Sequence, residues 1–536
     1  MKTLWCIVIV VPMILLSFFV SDLVPKNSSW VSNLSMSDLS PSSPSLNTSE
    51  ILHAQVEAGG GQPVDHDLGY HRVVAVDVHG VGEAPSAEAA LSRAAGPPLA
   101  VENVRIGVNE TIKKEIVNVA PTGSPDMTTP MYQSIALPLK PSKPRVPTSL
   151  DRLEASLLRA RAAIKEARNA KQLLDPDYVP IGPMYRDAKT FHRSYVEMEK
   201  QFKIFVYPEG EPPVFHDGPC KSIYSMEGNF IHKLDLDVKF QTKDPEKAHV
   251  FYLPFSVAKM VQFVYVRDSH DFGPIKRTVI DYVDLVARKY PYWNRSLGSD
   301  HFMLSCHDWG PEASFSLPYL HKNSIRALCN ANTSEKFNPI KDVSIPEINL
   351  QTDKLEGLVG GPSPSHRTIL AFFAGGVHGP IRPVLLEHWE NKDEDIRVHK
   401  YLPKGVSYYD MMRKSKYCLC PSGYEVASPR IVEALYNGCV PVLISVSYVP
   451  PFSDVLNWKS FAVVLSVDDI PNLKNILTGI SWRQYIRMQR RVLQVRRHFV
   501  FNSPPKRFDV FHMILHSIWL RRLNVKINDG HGAMTI

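Results

Sequence analysis

Between Cys420 and Ile444 the chain reads CPSGYEVASPRIVEALYNGCVPVLI, which sets Glu425, Ser428, Arg430 and Glu433 between two apolar runs. The pattern predicts a strand over YCLC, a loop over PSGYEVAS and a helix over PRIVEALYNG. Ser428 is expected as N-cap, Pro429 in the first turn and Gly438 near the end. Arg430 would then be a cation in the first turn, opposing the helix dipole, and such a charge needs an anion to justify it. A diphosphate fits, because a guanidinium offers a planar fork of donors to phosphate oxygens. Glu433, one turn on, either accepts hydrogen bonds from ribose hydroxyls or pairs with Arg430 across i, i+3.

Such groups require a scaffold whose strand ends converge. From Lys203 onward, short β-rich runs alternate with helical stretches: KIFVY, AHVFYLPFS, IKRTVIDYVDLVARKY, HFMLSCHDWG, ILAFFAGG, IRVHKYL, YCLCPSG, IVEALYNG, VPVLI and FAVVLS. This alternation predicts an α/β protein with parallel sheets. The segment EINLQTDKLEGLVGGPSPSHR interrupts it with Gly, Pro and Ser and reads as a linker between two sheets, at about 203–350 and 367–500. Ligands of open parallel sheets bind beyond the carboxyl ends of the strands.

YSMEGNFI, TKDPEKAHVFYLPFS, YPYWNRSLGSDHFMLSCHDWGPE, AFFAGGVHGPIRP, SKYCLCPSGYEVASPRIVEALYNGCVPVLI and FDVFHMILHSIW follow one another in that order. Together they resemble the plant branch of the exostosin family over about 202–526, and the Cys420–Ile444 stretch resembles the sugar-nucleotide signature of GT-B glycosyltransferases. The resemblance implies a GT-B fold, with Rossmann-like domains at 200–360 (acceptor) and 361–500 (nucleotide sugar) facing an interdomain cleft, and a helix at 501–526 packing back on the core. It implies a type II Golgi membrane enzyme, with its catalytic domain in the lumen, transferring sugar from a nucleotide donor to a polysaccharide or glycoprotein glycan. A UDP-sugar, inversion and a cell-wall role are the expectation. By similarity Glu433 holds the ribose, Arg430 and the Ser428 backbone hold the phosphates, and Glu425 reaches the sugar or stabilises its loop. In FFAGGVHG, Gly375, Gly376 and Gly379 allow close backbone approach, and Arg382 adds a phosphate contact.

Inversion needs a base near the acceptor hydroxyl. His307 and Asp308, ending a predicted strand in MLSCHDWGPE, are the candidates. His307 acts directly or is oriented by Asp308; alternatively Asp308 caps a turn over Trp309. Glu227 in YSMEGNF is a second candidate for the base, ranked behind them because its helical setting reads as a solvated or paired acid. Asp393 and Asp395 in NKDEDIRVH precede a strand rather than follow one, so they are read as solvated loop charge. No essential metal and no cofactor beyond the nucleotide-sugar co-substrate are expected.

The 17-residue apolar run Leu4–Val20, with residues 1–3 as a cytosolic tail, is read as a transmembrane signal anchor at 4–20 rather than a cleaved signal peptide. Residues 21–147, rich in Ser, Pro, Gly and Ala, are read as a disordered glycosylated stem. Sequons begin at Asn27, Asn33, Asn47, Asn109, Asn294 and Asn332. Six cysteines outside the anchor suit an oxidising lumen, with Cys306–Cys329 the preferred pair. Residues 148–174 are read as a solvated linker helix opened by a Thr148/Asp151 capping box, with a short dimerising coil as the alternative. Between Ser481 and Lys526 eleven Lys and Arg stand against Asp509 alone. WRQYIRMQRRVLQVRRHF puts Tyr485, Met488, Val492, Val495 and Phe499 on one face and arginines behind, a solvated back or a surface for acidic polysaccharide or lipid headgroups. Nucleic acid is not an expected partner; homo- or hetero-oligomers with other glycosyltransferases are compatible. Two further classes stay open: a catalytically silent partner in a glycosyltransferase complex, and a secreted polysaccharide-binding protein if the amino terminus is cleaved.

Overall fold

A computed structural model describes residues 146–352, 355, 358–528 and 532–535. The tail, the anchor, the stem to residue 145 and Asn27, Asn33, Asn47 and Asn109 lie outside the described residues. Strands β1 (Ile204–Val206), β2 (Gln241–Thr242), β3 (Val250–Tyr252), β4 (His301–Ser305), β5 (Ile325–Leu328) and β6 (Val343–Ser344) form one parallel sheet in the order β2-β1-β3-β4-β5-β6. A second parallel sheet holds β7 (Ile369–Ala374), β8 (Ile396–His399), β9 (Ser415–Pro421), β10 (Val440–Ile444) and β11 (Val463–Leu465), in the order β11-β10-β9-β7-β8. The α/β reading holds, and the two parallel sheets fit a GT-B-like architecture.

Strand side chains alternate between faces, and in a parallel sheet covered by helices both faces are apolar. Ile204, Val250, Tyr252, Phe302 and Leu304 therefore enter one core, which continues through the second sheet, while Phe205, Phe251 and Met303 enter another on the opposite face. Two disulfides brace the sheets, Cys306–Cys329 at the ends of β4 and β5, and Cys418–Cys439 between β9 and the start of β10. Cys420 remains a buried thiol.

The helices that bear on the site are α1 (Ser149–Ala167), α2 (Ala188–Gln201), α3 (Met226–Asp235), α4 (Gly273–Lys289), α5 (Ile381–Trp389), α6 (Tyr408–Lys414), α7 (Arg430–Tyr436), α8 (Trp482–Val495) and α9 (Val510–Leu523). α1 begins with the Thr148/Asp151 capping box but is not a solvated linker. Leu150, Leu157 and Ala160 are buried, and Glu154 ion-pairs with buried Arg522 of α9. Arg161 Nε donates to Leu523 O at 2.7 Å. The helix docks because Arg522, desolvated in the core, needs a counter-charge.

α9 is buried on nearly every side and carries the end of the chain from the second half back onto the first sheet. Arg521 Nε donates to Asp342 O at 2.9 Å and Arg522 Nε to His249 O at 2.8 Å. In α8 the apolar stripe is buried as read, while Arg483, Arg487 and Arg490 are exposed. Arg491 Nη1 donates to Ser460 O and Arg496 Nη1 to Tyr436 O, so part of the basic back serves the fold. Among the described residues no helix is long and apolar enough to cross a membrane.

Candidate functional site

In the second sheet the order reverses between β7 and β9, so the connections after these strands leave on opposite faces and open a crevice at their carboxyl ends. FFAGGVHG follows β7 and PSGYEVAS follows β9, which is why two segments about fifty residues apart become neighbours. Gly379, at φ +66°, packs so tightly on this second loop that a Cβ would lie 1.9 Å from Gly423 O. Gly375 lies under the Arg430 guanidinium, where a Cβ would come within 2.3 Å of Nη2. Within the protein, the glycine requirement at these positions comes from loop against loop and from arginine against backbone.

Arg430 and Arg382 are both buried. Arg430 Nη2 donates to Ala374 O at 3.3 Å, and Arg382 Nη1 to Gly376 O at 3.2 Å, so the end of β7 and the loop after it hold both guanidinium groups at the crevice. Glu433 Oε2 accepts from Tyr408 of α6 at 3.0 Å. Beside Glu433, a cavity of about 10 Å³ reaches Ile348 and Asn349 of the first half.

Ser428 is not the N-cap. Pro429 occupies that position, and Ser428 Oγ, buried, has no hydrogen-bond partner among the described residues. The helix starts one residue later than expected because Pro429 supplies the carbonyl that accepts Glu433 N at 3.0 Å. Gly438 follows the helix end at φ +65°, the left-handed conformation glycine adopts without strain.

From the first sheet, the end of β4 presents His307 and Asp308. His307 is buried, its Nδ1 accepts from Trp309 N at 3.0 Å, and its ring lies 4.6 Å from that of Tyr224. Asp308 is half-buried, and its charge adds to burial in raising the Tyr224 hydroxyl. Glu227, expected on a solvated or paired helix position, is fully buried in α3. Its Oε1 accepts from Ser305 Oγ (2.8 Å) and from the amides of Cys306 and His307 (2.9 Å each). Its Oε2 accepts from Ser256 Oγ (2.5 Å) and Ala258 N (3.0 Å).

Glu425 spans the two halves instead of reaching along its own loop. Its Oε2 accepts from Asn330 Nδ2, after β5, at 2.6 Å, and the same amide lies 3.1 Å from Glu335 Oε2 and 3.3 Å from Asp308 O. Burial first, then the charges of Asp308 and Glu335, push the Glu425 carboxyl up to about 8.

Sequence reasoning missed Glu347. It lies in the segment read as linker, yet residues 345–350 are buried, and Ser225 Oγ donates to Ile348 O at 2.6 Å. The available signal was the apolar spacing of Ile345, Ile348 and Leu350 around an acid, overridden by the Gly and Pro that follow. Burial and Asp308 hold the Glu347 carboxyl well above the usual carboxylate range, against the opposite pull of Arg430 and Arg382.

Asp393 and Asp395 stand ahead of β8. Lys474 Nζ lies 2.7 Å from one and 3.0 Å from the other, and Asp393 Oδ1 accepts two backbone amides. They form a turn closed by a lysine. Asn294 is exposed. Asn332 is the sequon the structure argues against, because it is buried between the halves with Nδ2 on Glu335 and Oδ1 on Ser334.

Residues 198–480 match the Exostosin GT47 domain. Over 429 residues the chain is 70% identical to "Probable glycosyltransferase At5g03795" of Arabidopsis thaliana, covering 80% of this chain and 82% of that one. It is 56% identical over 383 residues to "Probable glycosyltransferase At3g07620" of the same plant, covering 70% and 82%. A more distant likeness, 29% over 334 residues, covering 57% and 77%, is to "Probable glucuronosyltransferase Os01g0926700" of Oryza sativa subsp. japonica.

Proposed function

Because the chain belongs to the exostosin GT47 family and is a glycosyltransferase, we propose that it transfers a sugar from a UDP-sugar to a polysaccharide or glycoprotein glycan, with inversion. The observation that carries the reading is the pair of buried arginines, Arg382 on Gly376 O and Arg430 on Ala374 O, at the crevice between β7 and β9, with Glu433 beside a cavity that reaches Ile348 and Asn349 of the first half. Arg382 and Arg430 take the diphosphate and stabilise it as it leaves. The Ser428 hydroxyl and backbone add contacts, and Glu433, oriented by Tyr408, takes the ribose. Asp308 is the base; it receives the acceptor hydroxyl's proton while the hydroxyl oxygen bonds the anomeric carbon and the diphosphate departs with the former glycosidic electron pair. With two arginines for the leaving charge, no essential metal is included.

The enzyme is proposed to work in the Golgi lumen, held by the 4–20 anchor, in cell-wall synthesis; the two disulfides support an oxidising compartment. The rice relatives' name makes a nucleotide-activated glucuronic acid one donor to include in the test.

Thermal melting of the full chain with UDP, GDP and their sugar conjugates, beside Arg430→Ala and Glu433→Ala, tests the site. One nucleotide should stabilise the parent, by about 2.7 kcal/mol at a hundredfold excess over Kd, and neither variant. A well-folded parent stabilised by none would remove the donor reading and leave the silent partner in its place.

A further inference from the structure

Asn330 is the residue at which the two halves meet beside the reacting groups. It follows β5, is 1% exposed, and its Nδ2 has three acceptors around it: Glu425 Oε2 at 2.6 Å, Glu335 Oε2 at 3.1 Å and Asp308 O at 3.3 Å. Its Oδ1 is buried and has no hydrogen-bond partner among the described residues. The ring of acceptors fixes the amide's orientation, because turning it over would set Oδ1 against a carbonyl and two carboxyl groups. The oxygen therefore points away from Glu425 and Glu335, and a buried amide oxygen without a donor is costly.

Two ties fix where that oxygen stands. In the first sheet, β4 and β5 run side by side with Ser305 level with Leu328, and the Cys306–Cys329 disulfide joins the residues that follow them. This brings Asn330 beside Asp308, the base of the proposed transfer. From the second sheet, Glu425 belongs to the loop after β9, and at Gly423 that loop lies so near Arg382 that a Cβ would come within 3.0 Å of Nη2. Asn330 thus stands between the arginine assigned to the diphosphate and the base assigned to the acceptor. What occupies that interval during transfer is the sugar that moves. Resting on the donor reading above, we infer that Asn330 is a specificity-determining residue whose Oδ1 accepts a hydrogen bond from a hydroxyl of the transferred sugar.

An amide oxygen accepts and does not donate, so it selects a hydroxyl and rejects, at that point of the ring, a carboxylate or a missing hydroxyl. A bridge between the halves would use the nitrogen alone. The two roles separate in a measurement, because UDP carries no sugar to be transferred. Losing the hydrogen bond weakens a UDP-sugar and spares UDP, whereas loosening the cleft weakens both.

The test is calorimetric titration of UDP, UDP-glucose, UDP-galactose, UDP-xylose and UDP-glucuronic acid into the full chain and its Asn330→Ala form, followed by single-deoxy forms of the conjugate that binds the parent most tightly. Asn330→Ala should bind UDP within about threefold of the parent and that conjugate about tenfold more weakly. One deoxy form should bind the parent about tenfold more weakly and lose nothing further in Asn330→Ala, because both changes remove the same hydrogen bond. An Asn330→Ala chain that binds the conjugate as the parent does, that weakens UDP and conjugate alike, or that shows the parent's losses with every deoxy form overturns the inference and leaves the donor site standing. So does a parent that binds UDP but none of the conjugates. A parent that binds neither UDP nor a conjugate removes the donor reading and this inference with it. Should Asn330→Ala not fold, the parent decides: weaker binding of one deoxy form supports the inference, and equal binding of all of them overturns it.

Discussion

Glu227 receives five hydrogen bonds in a fully buried site, three of them from Ser305, Cys306 and His307, so it holds the very turn that presents Asp308. Replacing it by alanine strands five buried donors. Glu227→Ala is expected to cost about 3 kcal/mol or more, read from urea denaturation, and to lower activity through the displaced turn. Asp308→Asn keeps the shape and removes the proton acceptor. Its kcat should fall about 10²- to 10⁴-fold while stabilisation by nucleotide is unchanged; an unchanged kcat would move the base elsewhere. Arg430, Glu433 and Asp308 were legible because each follows a strand at a spacing that can be counted. Glu347 and Asn330 were not, since their surroundings come from residues opposite them in space and no local pattern marks them.

At the level of elements, the crevice exists because β7 and β9 are neighbours in the sheet while β8 lies outside β7. That order is invisible in a list of strands. A second tie between elements runs through Arg507, in the segment joining α8 to α9. Its Nη1 and Nη2 each lie 2.9 Å from an Asp175 oxygen, and Nη2 lies 2.7 Å from Glu199 Oε2 of α2. The Arg507 hydrogen bonds hold the Asp175 carboxyl well below the usual carboxylate range. A depressed carboxyl contributes stability above its unfolded value of about 3.9 and loses it as pH falls further. Unfolding free energy should therefore decline below about pH 4, and Arg507→Ala should flatten that decline while costing about 2 kcal/mol near neutrality. Denaturant titrations at a series of pH values would read both effects.

Across the whole molecule, α1 and α9 act as a strap. α9 leaves the second half to pack on β5 and β6, and α1 closes over it through Glu154 and Arg522. A chain starting near 146 keeps this pair, whereas one starting near 175 leaves Arg522 buried without its carboxylate. The shorter chain should be less stable by about 3 kcal/mol, seen as a lower Tm, and Glu154→Ala in the full chain should reproduce most of the loss. Among the described residues, the packed body thus includes α1, well before the first strand.

Local pattern established much about this protein. Alternating strands and helices, the 3.6-residue stripe of α8 and the Thr148 capping box depend on neighbours within a turn or two, and such neighbours are written consecutively in the chain. So are the arginine and the acids that follow strand ends. Tertiary structure alone decided that α1 docks and does not float, that Glu227 is a buried clamp, that Glu425 bridges the halves, and that Glu347, within an apparent linker, is buried. Each of these depends on desolvation by residues remote in sequence. Burial turns a carboxylate from a solvated charge into one that must find donors, hold its proton or await a ligand.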